Sequence, residues 1–236
     1  MKGRRRRRRE QFLAEMSKEA IDSYDDPYRD WYEDEKEILP TFMSLVGTGK
    51  SILDLAGGYA KAAPHLLENN NSVVLADLSL TSLLDGRSAL AQRDVQFVRM
   101  NMLEELPFAD GSFDGIWFTE AFEYVPPDER VRFLGRLRRI VKKGGVVLLT
   151  AEGLSEELSM LSYLRNYLYW KIVKRRPVVW GEYIYMLDLP KYKGWHYHSL
   201  VLSRRVEKSF GAAGFEILKH KDFGKSEYAS YLLRAL

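Results

Sequence analysis

The sequence predicts an α/β fold: a mostly parallel sheet flanked by helices. Three observations carry that prediction. Ser51 to Leu55 is a short, largely apolar run that leads into the small-residue loop Ala56-Gly57-Gly58-Tyr59-Ala60, and a helical pattern begins near Lys61. Val73 to Ala76 is a second apolar run, and it ends in an acid, Asp77. Strand and helix patterns then keep alternating as far as Thr150, the rhythm of a parallel sheet with crossover helices.

Each element follows in order. Lys2 and Arg4 to Arg9 form a solid basic run, whose self-repulsion predicts a disordered tail over residues 1–9. Glu10 to Asp22 reads as a short amphipathic helix, and Tyr24 to Tyr32 is acidic and aromatic. Ile38 to Val46 reads as a helix, with Pro40 limiting where it starts or kinks. After Asp77 come a helix near Thr81 to Gln92, a strand at Val95 to Met100 and a strand at Phe113 to Phe118. Glu129 to Lys142 is a long helix with Phe133, Leu134, Leu137, Ile140 and Val141 as its buried stripe. Gly144-Gly145 is expected to end that helix, and Val146 to Thr150 to be a fifth strand. Ser203 to Ala213 reads as the last helix, and Phe215 to Lys219 and Tyr228 to Leu233 as two strands well placed to pair antiparallel.

Gly153 to Leu200 breaks the rhythm. Leu154, Leu158, Leu161, Leu164, Leu168 and Ile172 recur at helical spacing, Lys171, Lys174, Arg175 and Arg176 load the end, and Pro177 stops it. The segment holds ten of the chain's thirty aromatic residues, so it reads as a helical, aromatic insertion over residues 153–200. Three roles stay open for it: a cap whose aromatics are core, a lid over a substrate pocket, or a basic aromatic helix lying on a membrane surface.

Composition bounds the chemistry. There is no cysteine, which excludes disulfides, thiolate metal sites and cysteine nucleophiles. Seven of the 36 basic residues are Lys2 and Arg4 to Arg9, which leaves 29 against 33 acidic ones in a mildly acidic body. The arginine run could touch RNA or an anionic surface. No apolar run approaches the roughly 18 residues a membrane helix needs, and no secretory h-region follows the basic start, so a cytoplasmic location is expected.

The loop after the first strand carries the function. In an open parallel sheet such a loop lies at the carboxyl end of a strand, where ligands bind. Residues with little or no side chain let backbone N–H groups approach a ligand, and the following helix is expected to add its positive end. Asp77, about twenty residues on, can accept both hydroxyl protons of a ribose, so an adenosine-containing ligand is expected. Gly49-Lys50-Ser51 is not a triphosphate loop: Ser44 stands where that motif needs a glycine, and the strand follows rather than precedes it.

These residues together resemble the class I S-adenosylmethionine-dependent methyltransferases, in particular the group that methylates small molecules. The resemblance runs from about Ile38 to Leu149 and from His198 to the end, and rests on pieces in the family's order. These are the Asp54 loop, Asp77, Glu104-Glu105-Leu106-Pro107-Phe108, Ser112-Phe113-Asp114, Leu137 to Gly145 and Ala213-Gly214-Phe215-Glu216. It implies a Rossmann-like, mostly parallel seven-stranded sheet with the last strand antiparallel, a single domain over residues 10–236, and S-adenosyl-L-methionine as cofactor. It implies cofactor contacts from Asp54, Ala56, Gly57, Gly58, Asp77, Leu78, Asn101, Met102, Leu103, Thr119 and Glu120. Ala56 and Ala60 stand where glycine is usual, and Met102 where an aspartate often meets the adenine amino group.

The implied activity is methyl transfer to an O, N or C atom of a small or hydrophobic acceptor. Alternatives are an RNA or protein acceptor held by the arginine arm, or a non-catalytic scaffold that keeps the fold. Glu123, Tyr124 and His198 are the candidate catalytic residues, and Tyr28, Trp31, Tyr32, Tyr163, Tyr167 and Trp195 the candidate acceptor contacts. His196 and His198 alternate about Tyr197 and would share a strand face, but without a third ligand they imply no metal. Thr119-Glu120-Ala121-Phe122 stands where methylation of exocyclic nucleic-acid amines would need an Asn/Asp-Pro-Pro-aromatic motif.

Overall fold

A computed structural model describes residues 7–9, 11–13, 33–91, 93–152, 160–189, 192–200, 203–221 and 228–236. Residues 7–9 and 11–13 are helical, and after them come nine strands and six α-helices with described bounds: α1 (Glu33–Val46), β1 (Ser51–Leu55), α2 (Ala63–Leu66), β2 (Ser72–Asp77), α3 (Leu80–Ala89), β3 (Val95–Arg99), β4 (Phe113–Phe118), α4 (Arg130–Ile140), β5 (Val141–Glu152), α5 (Met160–Leu168), β6 (Glu182–Leu189), β7 (Tyr192–Ser199), α6 (Ser203–Ala212), β8 (Phe215–Lys221) and β9 (Tyr228–Ala235). Tyr28, Trp31, Tyr32, Arg4 to Arg6 and most of the Glu10 to Asp22 stretch lie outside the described residues.

Seven strands form one sheet in the order β3-β2-β1-β4-β5-β9-β8. β1, β2, β3, β4 and β5 pair in parallel, and the last strand, β9, runs antiparallel between β5 and β8. The strand order reverses between β1 and β4, which opens a crevice at their carboxyl ends.

The strands are buried on both faces, so side chains alternate between two cores. Leu53, Leu55, Ile116 and Phe118 face a core with Phe133, Leu134 and Leu137 of α4 and Phe210 of α6. Ile52 and Trp117 face the opposite core with Phe42 and Val46 of α1 and Leu66 of α2. Phe42 meets the Trp117 ring edge-on at 5.3 Å, an arrangement worth about 0.5–1.5 kcal/mol beyond the area it buries.

Two boundaries differ from expectation. α1 runs through Pro40 to start at Glu33. Gly144-Gly145 does not end a helix; it lies inside β5, which begins at Val141. The register against β4 shifts there, from Phe113↔Val141 to Gly115↔Val146. Gly144 takes φ +78°, and a Cβ on Gly145 would sit 2.9 Å from the Asp114 carbonyl oxygen. The glycine pair is therefore a bulge in the sheet, a place where small residues with positive φ are used.

The insertion after β5 is half helix and half hairpin. α5 continues into a π-turn at Tyr169–Val173. The expected helical character stops there, because β6 and β7 then form an antiparallel pair that places Tyr185 opposite His196 and Tyr183 opposite His198. A third, small core joins Phe12, Trp170, Val178, Ile184 and Tyr197. Arg9, within the run expected to be a free tail, is helical and docks here. Its guanidinium donates to the Pro177 carbonyl oxygen at 3.1 Å and pairs with the fully buried Glu182.

Candidate active site

The carboxyl ends of β1, β2, β3 and β4 surround one cleft of about 270 Å³. Asp54, Ala56, Gly57 and Gly58 come from the end of β1, Asp77 and Leu78 from β2, Asn101, Met102 and Leu103 from the loop after β3, and Thr119 and Glu120 from the end of β4. All eleven residues expected to meet a cofactor thus line the same crevice.

The loop after β1 is tightly wound. Ala56 and Ala60 take φ of +57° and +66°, and Gly58 takes +50°. Left-handed geometry costs an alanine roughly 1–2 kcal/mol, so this loop holds its shape against strain at two positions where glycine would be free of it. Ala60 still fits because its methyl is packed, 4% exposed, beside Gly86. The Asp77 carboxylate holds the loop in place: Oδ2 accepts from the Gly58 N–H at 2.9 Å, and Oδ1 from the Ser79 N–H at 2.8 Å. Burial raises the Asp77 pKa, and these backbone donors offset part of that rise. The expected contribution from the next helix is absent: α2 is only four residues long, too short for an appreciable dipole.

Asp54 is 2% exposed, and its Oδ2 has no hydrogen-bond partner. Burial first, then the charges of Asp77 and Glu35, push its pKa up to about 7, against the pull of Lys61. A Cβ on Gly57 would lie 2.7 Å from that carboxylate, so only glycine leaves the acid room.

Lys61 was not among the expected site residues. It lines the cleft and its Nζ donates to Glu35 Oε2 at 3.0 Å and Glu120 Oε1 at 2.8 Å. Burial alone would lower the Lys61 pKa, but the two carboxylates outweigh it and raise it. Glu120 itself sits at φ +52°, with its N–H donating to Thr150 Oγ1 at 2.8 Å. The Asn101 amide is committed to its own loop: Oδ1 accepts from the Leu103 N–H at 3.0 Å, and Nδ2 donates to Glu104 at 3.2 Å.

Of the three candidate catalytic residues, Tyr124 alone lines the cleft. It belongs to the 3-10 turn Phe122–Tyr124 against which β7 packs. Its hydroxyl lies 3.3 Å from His196 Nε2, which lies 2.9 Å from His198 Nε2. The Tyr124 ring stands edge-on to both imidazoles. Burial, then the neighbouring His198, push the His196 pKa down to about 3. Glu123 points elsewhere: it is 1% exposed, outside the cleft lining, and acts on the buried Arg130 guanidinium.

The candidate acceptor aromatics within the described residues are packing groups instead. Tyr163 is buried, accepts from the Gly181 N–H at 2.5 Å and meets Trp180 edge-on, as Tyr167 also does. Trp195 packs on Trp170. None of the three lines the cleft. They pack within the insertion because it needs a core of its own. Among the described residues no group of three or more His, Cys, Asp or Glu side chains could hold a metal.

Residues 52–145, the stretch that builds the cleft, match the family described as a methyltransferase domain. Over this stretch the chain resembles the class I S-adenosylmethionine-dependent methyltransferases. A ubiquinone/menaquinone biosynthesis C-methyltransferase, UbiE, of Hahella chejuensis is 34% identical over 112 residues, 44% of each chain. The chain thus spans under half the length of that curated relative. A SAM-dependent methyltransferase of Methanosarcina mazei superposes with a TM-score of 0.66 at 18% identity, covering 88% of this chain and 99% of that one. The cyclase SpnF superposes with a TM-score of 0.61 at 17% identity, over 90% and 85%, so the methyltransferase fold alone does not fix the reaction. S-adenosylmethionine is the expected cofactor, and the residues fit it. An orphaned buried carboxylate oxygen at Asp54 awaits a donor, Gly57 leaves space beside it, and Asp77 faces the same crevice.

Proposed function

We propose that this protein transfers the methyl group of S-adenosylmethionine to a small, apolar or aromatic acceptor that meets Tyr124. The observation that carries the reading is the gathering of Asp54, Asp77, Asn101 to Leu103, Glu120 and Tyr124 on one cleft. When bound, the cofactor supplies an electrophilic methyl on a sulfonium. The chain's residues have the tasks of binding, aligning and excluding water. Asp77 holds the ribose hydroxyls while its backbone bonds keep the loop closed. Asp54, ionised by an approaching ammonium, orders the loop from beneath. With the Asn101 amide committed to its own loop, backbone groups beside Met102 meet the adenine edge.

Tyr124 orients the acceptor. A histidine held near pKa 3 is unprotonated at neutral pH but a weak proton acceptor, so His196 fixes the tyrosine hydroxyl rather than serving as a strong general base. The acceptor that suits such a site is already nucleophilic on arrival, an ionised phenol or an activated ring carbon. The C-methyltransferase relatives support an acceptor of this class.

Calorimetric titration with S-adenosylmethionine and S-adenosylhomocysteine tests the cofactor step, on wild type and Asp77→Ala. Micromolar binding lost in the variant is expected. No binding by folded wild type would sink the enzyme reading in favour of a scaffold. A labelled-methyl screen over phenolic and quinol acceptors then tests the acceptor class, and transfer only to RNA or protein would overturn it.

A further inference from the structure

The outer surface of the insertion has no role in the cleft, yet its chemistry is distinctive. Of the fourteen large hydrophobic side chains exposed among the described residues, eight lie between Met160 and Trp180. They are organised. Tyr163, Asn166, Tyr167 and Trp170 turn inward, where Asn166 and Trp170 donate to the Ile184 carbonyl oxygen. Leu161, Leu164, Leu168 and Ile172 recur three or four residues apart on the opposite face, 38–64% exposed.

This apolar row ends in cations. Lys171, Lys174, Arg175 and Arg176 are exposed at the helix end, and Arg165 is exposed beside the row. Arg9 is anchored to Pro177, and Arg176 lies over the Phe12 ring, so the described part of the N-terminal arginine run, Arg7 to Arg9, is brought to the same end of the insertion. Arg7 and Arg8 are exposed there. Two basic runs more than 150 residues apart in sequence therefore meet at the end of one apolar helix face.

We propose that this face docks on an anionic lipid bilayer, with the aliphatic row entering the interface and the converged cations facing acidic headgroups. An exposed helix face of this composition is the pattern of an interfacial helix. The charges alone would also suit RNA, but RNA offers nothing to the leucine and isoleucine side chains between them, whereas a bilayer offers both layers. The inference stands independently of the methyl-transfer reading. Under that reading it would bring an apolar acceptor's source beside the cleft.

Co-sedimentation of the full chain tests it, with vesicles of phosphatidylcholine alone and of phosphatidylcholine with about 30% phosphatidylglycerol, an anionic fraction high enough to draw polybasic segments. Wild type is expected to pellet with the anionic vesicles only, and less as salt rises. Lys174→Glu with Arg175→Glu should weaken binding by at least about five-fold per removed cation. Ile172→Asp with Val173→Asp, at two residues 64% and 66% exposed, should weaken it by roughly ten-fold or more, with circular dichroism and melting unchanged. Wild type left in the supernatant of anionic vesicles at low salt would overturn the proposal. So would unchanged vesicle binding by the Ile172/Val173 variant, or tight binding of single-stranded RNA that this variant retains while vesicles pellet nothing.

Discussion

Asp54 makes the unliganded protein less stable as pH rises, and the size of that effect follows from its burial. Its carboxyl titrates near 7 in the folded chain against 3.8 as the ordinary value. The folded state therefore holds a proton that the unfolded state has already lost, and linkage sets the sign. Asp54 imposes no penalty below about pH 4, and stability drains away as pH rises from there to about 7. The three-unit rise corresponds to about 4 kcal/mol at 1.36 kcal/mol per unit. Asp54→Asn keeps the shape and removes the titration. Denaturation of both proteins without cofactor, at pH 5, 6, 7 and 8, isolates the effect as a difference. The asparagine variant should gain on wild type by about 2–3 kcal/mol between pH 5 and pH 8, or roughly 5–10 °C in melting temperature for a chain of this size. A gap that stays constant over that range would refute the buried, unpartnered carboxylate. With S-adenosylmethionine bound, a cation beside Asp54 should lower its pKa, so the gap should narrow and binding near pH 7 should release a proton, read by calorimetry in buffers of different ionisation enthalpy.

His196 works in the opposite direction. Its folded pKa near 3 lies below the ordinary 6.5, so its contribution is intact above pH 6.5 and is lost as pH falls towards 3; relative to His196→Gln, wild type should lose about 2 kcal/mol between pH 7 and pH 5 by melting. Ala56→Gly should raise stability by about 0.5–1 kcal/mol, because relief of the left-handed strain exceeds the added backbone entropy, and a destabilised variant would contradict the positive φ. Arg9→Met should cost about 3 kcal/mol in denaturant unfolding, because Glu182 would stay buried without its paired guanidinium, keeping only the Tyr197 hydroxyl, the Val179 N–H and the charge of Arg130. Tyr124→Phe should leave S-adenosylhomocysteine affinity within about two-fold while reducing methyl transfer by roughly ten-fold or more, the pattern of a lost orienting bond.

The cofactor side of the cleft was legible in the sequence because each of its residues directly follows a readable strand. Asp54, Asp77, Asn101 and Thr119 lie at or just past the ends of four apolar runs, and a parallel sheet brings those ends together. The Glu35–Lys61–Glu120 cluster was not legible, since its members lie 26 and 59 residues apart and meet only through the packing of α1 on the sheet. The loop glycines illustrate a different limit. The family resemblance implies that Ala56 and Ala60 stand where glycine is usual, but only the backbone shows that both still take the left-handed geometry.

The insertion was misread because its first half dominates the pattern. Helical spacing from Leu154 to Ile172 is strong and stops at Pro177, and no element is expected from it for the aromatics that follow. The corrective signal was present: Tyr183 and Tyr185, then His196 and His198, alternate with period two on either side of Leu189-Pro190-Lys191-Tyr192, the pattern of a hairpin. Tyr183 and Tyr185 extend to a second strand the alternation already visible at His196 and His198. In a hairpin, His196 and His198 share one face, and the structure turns that face onto Tyr124. The helix before the hairpin buries Tyr163 and Trp170 against it and leaves Leu168 and Ile172 outward. One insertion thus presents His196 and His198 to Tyr124 on its inner side and an apolar, basic outer surface to solvent. The aromatics expected at an acceptor hold these two surfaces together, so truncating them should disturb both vesicle binding and methyl transfer, whereas Tyr124→Phe should disturb methyl transfer alone.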